Sequence, residues 1–474
     1  MMVLVVLLLV LLPQAVSKFP GAECSISDPL PILYKYYQLG DLNIAGITSQ
    51  NFVFLSSINF EKPPCPELFD DTMVLTQLYQ HILALAFAVK EVNENPQILP
   101  NVTLGFQIYN SQFSASSTYQ ASMELLSTQE RFIPNYKCGI HNNPVVVIGG
   151  PNYNVFLHMT AILSNYKMPQ LAYGSAPVLE NEKEGAFITQ MFPNGIHQYM
   201  GILQLLLHFR WTWIGVVYLD DDNGDRFVQK VLPIFSQRGI CFDFIERLPK
   251  QGSSSANNLI VEKGINMIKK IMTHTANVVI VHGEIQTMLV LRTLFQYLKF
   301  SNEPKKAKLL IMTAQMDFTS FPLQRLWDVD FIHGALSFAV HSKEVVGFQE
   351  FIQIRNPISE KEDKFMRVFW EHTFDCLLPV SMVDMMDKEF CTGEEKLESL
   401  PGSIFEMSMT AHSYNIYNAV YAVVHALQTM HPSNSKQRTI AGGQGKKLLS
   451  QVPSQTISLE IAKHINISCH LIYL

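Results

Sequence analysis

The stretch His208–Arg226, HFRWTWIGVVYLDDDNGDR, holds the densest group of side chains able to do chemistry. Asp220, Asp221, Asp222 and Asp225 surround Asn223 and Gly224, so calcium ligation is the first chemistry to weigh. Counting back from Gly224 puts Leu219 at the first ligand position of a calcium loop, where an oxygen donor is required. The spacing fails. Carboxylates also stabilise helix starts by ~0.3–1 kcal/mol each, and Phe227, Val228, Val231 and Phe235 follow at helical spacing. In open α/β sheets, however, ligands bind in the loops that leave the strands' C-terminal ends. A capping role and a binding role both remain open for this cluster.

Other chemistry fails on similar grounds. Gly442-Gly443-Gln444-Gly445-Lys446-Lys447 resembles a phosphate loop, but Ile440 replaces its first glycine and Lys447 its Ser or Thr. Gly149-Gly150 does not continue into a dinucleotide fingerprint. There is no G-x-S-x-G elbow and no H-E-x-x-H helix. His333 and His341 read as ordinary surface or core histidines rather than metal ligands. None of the seven cysteines forms a C-x-x-C pair, so a zinc site is not expected. The reading is a binding module without metal, cofactor or catalytic residues.

The elements around these residues follow from hydrophobic patterning. Trp211–Leu219 is a nearly unbroken apolar run, the signature of a strand buried on both faces of a parallel sheet. From Ile196 onward, helices at Ile196–Phe209, Phe227–Arg238, Leu259–Met272 and Ile285–Leu298 alternate with strands at Ile240–Ile245, Val278–His282 and Leu309–Thr313. Before them, Asp70 and Asp71 are expected to cap a helix running to about Asn93. Strands are expected near Leu42–Ile47, Leu104–Ile108, Val145–Ile148 and Gln170–Tyr173, and helices over Ser114–Thr128 and Val155–Tyr166. Phe331–Val340 reads as a strand; Val345–Ile354, Phe365–Phe374 and Met407–Met430 read as helices. Gly442–Leu474 shows no pattern that places it in an element. This is α/β architecture with mostly parallel sheets flanked by helices.

The length of 474 residues allows two or three domains, and a net charge of −6 without a basic block argues against nucleic acid. Met1–Leu12 is uniformly apolar but too short to span a membrane. With Ala15-Val16-Ser17 behind it, the segment 1–17 reads as a secretory signal peptide. Secretion makes Asn101-Val-Thr103 and Asn466-Ile-Ser468 glycosylation acceptors and the cysteines candidates for disulfides.

Several blocks resemble the extracellular ligand-binding region of class C G-protein-coupled receptors, most closely the vomeronasal type-2 (pheromone) receptors. They are QHILALAFAVKEVNENPQILP from Gln80, NVTLGFQIYN from Asn101, NYKCG from Asn135 and His208–Gly224. RGICFDF from Arg238, His333–Phe351 and YNIYNAVYAVVH from Tyr414 complete the set. The resemblance implies a two-lobed clamshell of the periplasmic-binding-protein type. Residues 24–193 would form lobe 1, 194–332 lobe 2 and 333–430 the return to lobe 1, followed by a divergent tail, 431–474. It also implies a homo- or hetero-dimer through lobe 1, at the extracellular side of the plasma membrane. A G protein would be engaged through a stalk and seven-helix domain beyond the resemblance, so the expectation is a ligand-binding region truncated before the membrane domain. A secreted binding protein or decoy without signalling is the alternative.

Amino-acid-sensing members of that family hold the ligand's ammonium and carboxylate with hydroxyls, backbone groups and acids. At the matching positions this chain has Tyr153, Ala176, Gly195, Asn223 and Gln315, with Ser175 adjacent. All five depart from the pattern, so a peptide or small-protein ligand is expected rather than a free amino acid. The resemblance pairs Cys376 with Cys391, matches Cys241 to a partner in the stalk, and puts Cys138 in a loop suited to an intermolecular bridge. Cys65 has Gln112 at its usual partner position, and Cys24 has no assignment.

Overall fold

The computed structural model describes residues 35–54, 71–127, 144–176, 187–193, 195–249, 257–299, 306–316, 324, 327, 329–378, 390–402, 404–435, 454–463 and 469–473. The signal segment, Cys24, Cys65, Cys138 and Asn466 lie outside these residues.

The first half runs β1 (Lys35–Gln38), β2 (Leu42–Thr48), β3 (Asn51–Phe54), β4 (Asp71–Val74), α1 (Tyr79–Glu94), β5 (Leu104–Asn110) and α2 (Ala115–Leu125). It continues with β6 (Pro144–Gly149), α3 (Tyr153–Leu163), β7 (Gln170–Ala172) and β8 (Ile188–Gln190). Six of the strands form one sheet in the order β1-β5-β2-β6-β7-β8, parallel except for β1 at the edge. Every residue of β2, β5 and β6 is buried, including the polar Asn43 and Gln107, as in a parallel sheet covered on both faces. Helix α1 is buried continuously from Tyr79 to Val89. It packs on β2 and β5 and along a long helix from the far end of the chain.

The second half begins with α4 (Gly195–His208), β9 (Trp213–Leu219), α5 (Asp222–Lys230), α6 (Leu232–Gln237), β10 (Cys241–Leu248) and α7 (Asn257–Thr273). β11 (Val278–His282), α8 (Ile285–Lys299), β12 (Leu309–Met312) and β13 (Leu336–Val340) follow. The chain ends with α9 (Phe348–Gln353), α10 (Lys364–Phe374), α11 (Ala411–Ser435), α12 (Ser454–Lys463) and β14 (Cys469–Tyr473). The second sheet has the order β10-β9-β11-β12-β13-β14, with β14 antiparallel at its edge. Helices α9 to α12 return to the core of the first sheet, where Phe348, Phe369, Val423 and Ile461 pack with Leu83, Phe106 and Val146.

Four expectations need correction. Asp71 does not cap a helix; it lies in β4 opposite Phe54, and α1 starts only after a short turn at Thr76–Leu78. The helix expected at Phe227–Arg238 is two helices, because Pro233 in the first turn of α6 cannot donate a backbone hydrogen bond. The tail is not without elements: α12 buries Ile457 and Ile461, and β14 completes the second sheet. β13 belongs to the second sheet, so the chain leaves that sheet after Val340, beyond the 332/333 boundary read from the resemblance.

Both sheets place their switch point at the same kind of junction. In the first, β2 is followed by β5 on one side and β6 on the other; in the second, β9 is flanked by β10 and β11. The loops leaving β6, β7, β9 and β11 are therefore those that an α/β sheet offers to a ligand. Apolar contacts join the lobes beside them. Leu75 and Leu78 pack with Ile285 and Leu289, and Phe192 packs with Ala314 and Val340.

Candidate functional site

A carboxylate from the second lobe stands at the junction of those loops. Glu284 directly follows Gly283 at the end of β11 and is 2% exposed. Its carboxylate accepts the Tyr153 N–H at 3.1 Å (Oε1) and 3.3 Å (Oε2). It also accepts the side-chain amide of Asn223 at 3.1 Å and is hydrogen-bonded by the Ser175 side chain. Tyr153 and Ser175 come from the first lobe, Asn223 and Glu284 from the second. This one carboxyl group links the two.

Each partner is placed by local structure. Asn152 caps α3 by accepting the Val155 N–H at 2.9 Å, so Tyr153 begins the helix with its N–H directed outward. Gly150 makes the turn before it at φ +75°, where a Cβ would meet the Phe156 ring at 2.8 Å. Asp221 caps α5 by accepting the Gly224 N–H at 2.8 Å, which holds Asn223 in the first turn. The capping role of the acidic run is thus real. Asp220 and Asp225 instead pair with Arg247 on β10.

Burial dominates the electrostatics. Desolvation pushes the Glu284 carboxyl up to about 8, and the charge of Asp221 adds to this; the Tyr153, Ser175 and Asn223 hydrogen bonds oppose it. The Tyr153 ring is buried beneath the Arg226 guanidinium at 5.2 Å, and its hydroxyl has no hydrogen-bond partner among the described residues. Burial raises that phenol above its usual range, against Arg226. Next to Glu284, His282 accepts or donates a 2.9 Å hydrogen bond with the Tyr199 hydroxyl and stacks on Phe227 at 4.2 Å. Burial drives its imidazole down to about 3, so it is neutral at physiological pH.

Of the six cleft candidates, Tyr153, Ser175 and Asn223 converge on Glu284. Gln315 belongs to a neighbouring network: its Oε1 accepts the Gln198 side-chain amide at 3.0 Å, and Gln198 accepts the Ala314 N–H at 2.7 Å. Gly195 heads α4 against the Tyr199 ring. Ala176 packs with the apolar cluster behind β6, and its carbonyl accepts from Gln190 at 3.4 Å. Glu284 itself was not singled out from the sequence. The usable signal was an acid two residues beyond a buried strand, close to the place that Asp220–Asp222 take after β9.

Cys376 and Cys391 form a disulfide, as the resemblance implied. Cys241 is an exposed free thiol. Asn101 is exposed in a left-handed turn at φ 64° before β5. Among the described residues, no helix is long and apolar enough to cross a membrane.

The sequence pattern of the receptor family ligand binding region matches residues 81–458. Vomeronasal type-2 receptor 26 of Mus musculus is 29% identical over 429 residues, covering 88% of this chain and 48% of the receptor. Vomeronasal type-2 receptor 116 of Mus musculus is 28% identical, covering 74% and 40% respectively. The extracellular calcium-sensing receptor of Sus scrofa is 24% identical, covering 83% and 38%. The chain spans less than half the length of each of these relatives.

Proposed function

Because the chain belongs to the receptor family ligand binding region, we propose that it is the extracellular ligand-binding part of a vomeronasal type-2-like receptor and senses a pheromone-class peptide or small protein. In this reading it works as a dimer through lobe 1, and closure of the lobes is the signal passed to a membrane domain. The observation that carries the reading is the interlobe cluster at the strands' C-terminal ends, where Glu284 meets Tyr153, Ser175 and Asn223.

The choice of ligand class follows from desolvation. Enclosing a zwitterion strips water from two charges and costs several kcal/mol per ion unless protein groups replace that water. Gly195 and Ala176 offer no side-chain donor or acceptor, Gln315 is occupied by Gln198, and the Tyr153 N–H is occupied by Glu284. A larger ligand can instead spread its contacts over the rim of the cleft.

Two experiments test this. None of the twenty amino acids at 10 mM should raise the melting temperature, whereas a ligand at 100 times its dissociation constant stabilises by about 2.7 kcal/mol. A clear upward shift that is lost in Tyr153→Ala or Ser175→Ala contradicts the ligand class. Second, the chain is joined to the remaining part of vomeronasal type-2 receptor 26 and expressed in cells. Peptide fractions of glandular secretions should then evoke a calcium response that free amino acids do not. Surface-expressed protein that binds those peptides without any response counts against the receptor role and favours a soluble binding protein.

A further inference from the structure

The first lobe presents a cradle for a carboxyl group that the chain fills with a side chain of its own. A helix N-terminus directs free N–H groups outward and favours an anion or a carboxyl group. Here Asn152 already caps α3, leaving the Tyr153 N–H to a further acceptor. The Ser175 side chain, in the loop after β7, supplies a second contact to the same group. The group seated there is the carboxyl of Glu284, reaching over from the other lobe, with both oxygens within 3.3 Å of the Tyr153 nitrogen. The segment carrying it is itself anchored. The Glu284 N–H donates to Thr287 Oγ1 at 3.0 Å, and Thr313 Oγ1 donates to the Gly283 carbonyl at 3.0 Å.

We propose that Glu284 is a built-in occupant of the interlobe cleft: it holds the carboxyl position and ties the lobes shut, so a small monocarboxylate can bind there only when Glu284 is removed. The proposal rests on reading this cleft as the ligand site. Its physical basis is tethering. A free acid must give up translational freedom to enter, whereas Glu284 is already delivered by β11 at a high effective concentration. A ligand with a carboxylate at this position would therefore have to displace Glu284 before it could profit from the cradle. One whose contacts lie elsewhere would bind to lobes already latched.

The test is chemical rescue on the isolated full chain. Glu284→Ala removes the CH₂–COOH group that acetic acid can replace. The probe is sodium acetate against sodium chloride at equal ionic strength and pH 6. Binding is followed by acetate NMR line broadening, and closure by the radius of gyration from X-ray scattering. E284A should expand relative to wild type and contract when acetate is added. Its acetate affinity should exceed that of wild type at least about 100-fold, as expected when a tethered competitor is lost. E284Q keeps an acceptor oxygen for the Tyr153 N–H and should stay compact and unresponsive. Folded E284A that neither expands nor takes up acetate, or wild type that binds acetate equally well, overturns the proposal.

If E284A does not fold, a double-mutant cycle of Ser175→Ala with Glu284→Met, which removes both acceptor oxygens at similar volume, decides instead. Strictly additive effects on the unfolding midpoint overturn the proposal, and coupling between the lobes supports it. These readouts involve no signalling. A chimera that fails to respond leaves them unchanged, and failure of the acetate test leaves the receptor reading standing.

Discussion

Replacing Cys376 and Cys391 together with serine is expected to lower the free energy of unfolding by about 3 kcal/mol, the loop-closure entropy for a loop of this length. The cysteines are 15 residues apart in sequence. The loss should be felt at the main core, because Cys376 is buried there directly after α10 and Cys391 packs against the same cluster. The other end of the loop is held by weaker means. Glu395 accepts the Thr392 N–H at 2.6 Å, the Gly393 N–H at 2.9 Å and the Trp370 indole N–H at 3.4 Å. Of these only the Trp370 bond reaches back to α10, and at about 0.5–1.5 kcal/mol it is too little to replace the bridge. Urea unfolding of wild type and C376S/C391S, both followed by tryptophan fluorescence, measures the difference. Equal midpoints would show that the loop is held without the bridge. Peptide mapping without reduction should recover both cysteines of the wild-type protein in one linked fragment.

Stability should also fall by about 1.5 kcal/mol as the pH rises from 6.5 to 8, at up to ~1.4 kcal/mol per unit for one linked proton. The group responsible is Glu284. Its carboxyl has an ordinary value of 4.5 when unfolded and about 8 in the folded protein. Between those values the folded state holds a proton that the unfolded state has released, so raising the pH favours unfolding. The contribution is fully present below 4.5 and lost once the pH passes 8. Two other buried groups shape the acid side. Asp363, raised to about 6 chiefly by burial, acts in the same direction as Glu284 between 3.8 and 6. His282, depressed to about 3 by burial, acts in the opposite direction below 6.5. Asp363 is nearly flat above 6.5, and the unfolded His282 releases the rest of its proton there, which offsets the fall by about 0.4 kcal/mol. Urea unfolding at half-unit steps from pH 6.5 to 8 should give the falling slope in wild type and a flatter profile in Glu284→Gln. A slope of opposite sign, or an identical slope in the variant, rules out this assignment.

The alternation of helix and strand was legible in the sequence, because buried parallel strands must be almost wholly apolar and the helices beside them apolar on one side. β9, β11 and β12 were readable as runs of Val, Ile and Leu, and α5 by the acids at its start. Blocks such as Gln80–Pro100 and Tyr414–His425 also carried the family, since together they specify how α1 and α11 pack against each other in one core. Pairing across long distances was not legible. Among the described residues β3 and β4 pair only with each other, in a separate two-stranded sheet, and β14 pairs only with β13, so neither has a local signature strong enough to set its position. The same holds for the site. Tyr153, Ser175 and Asn223 were marked by the resemblance, but their common partner lies 131 residues from Tyr153 in the chain. Which side chain meets which across two lobes depends on how the sheets face each other. How strongly Glu284 holds its proton depends on how completely that meeting excludes water. Both are properties of the packed structure, and no periodicity in the sequence encodes them.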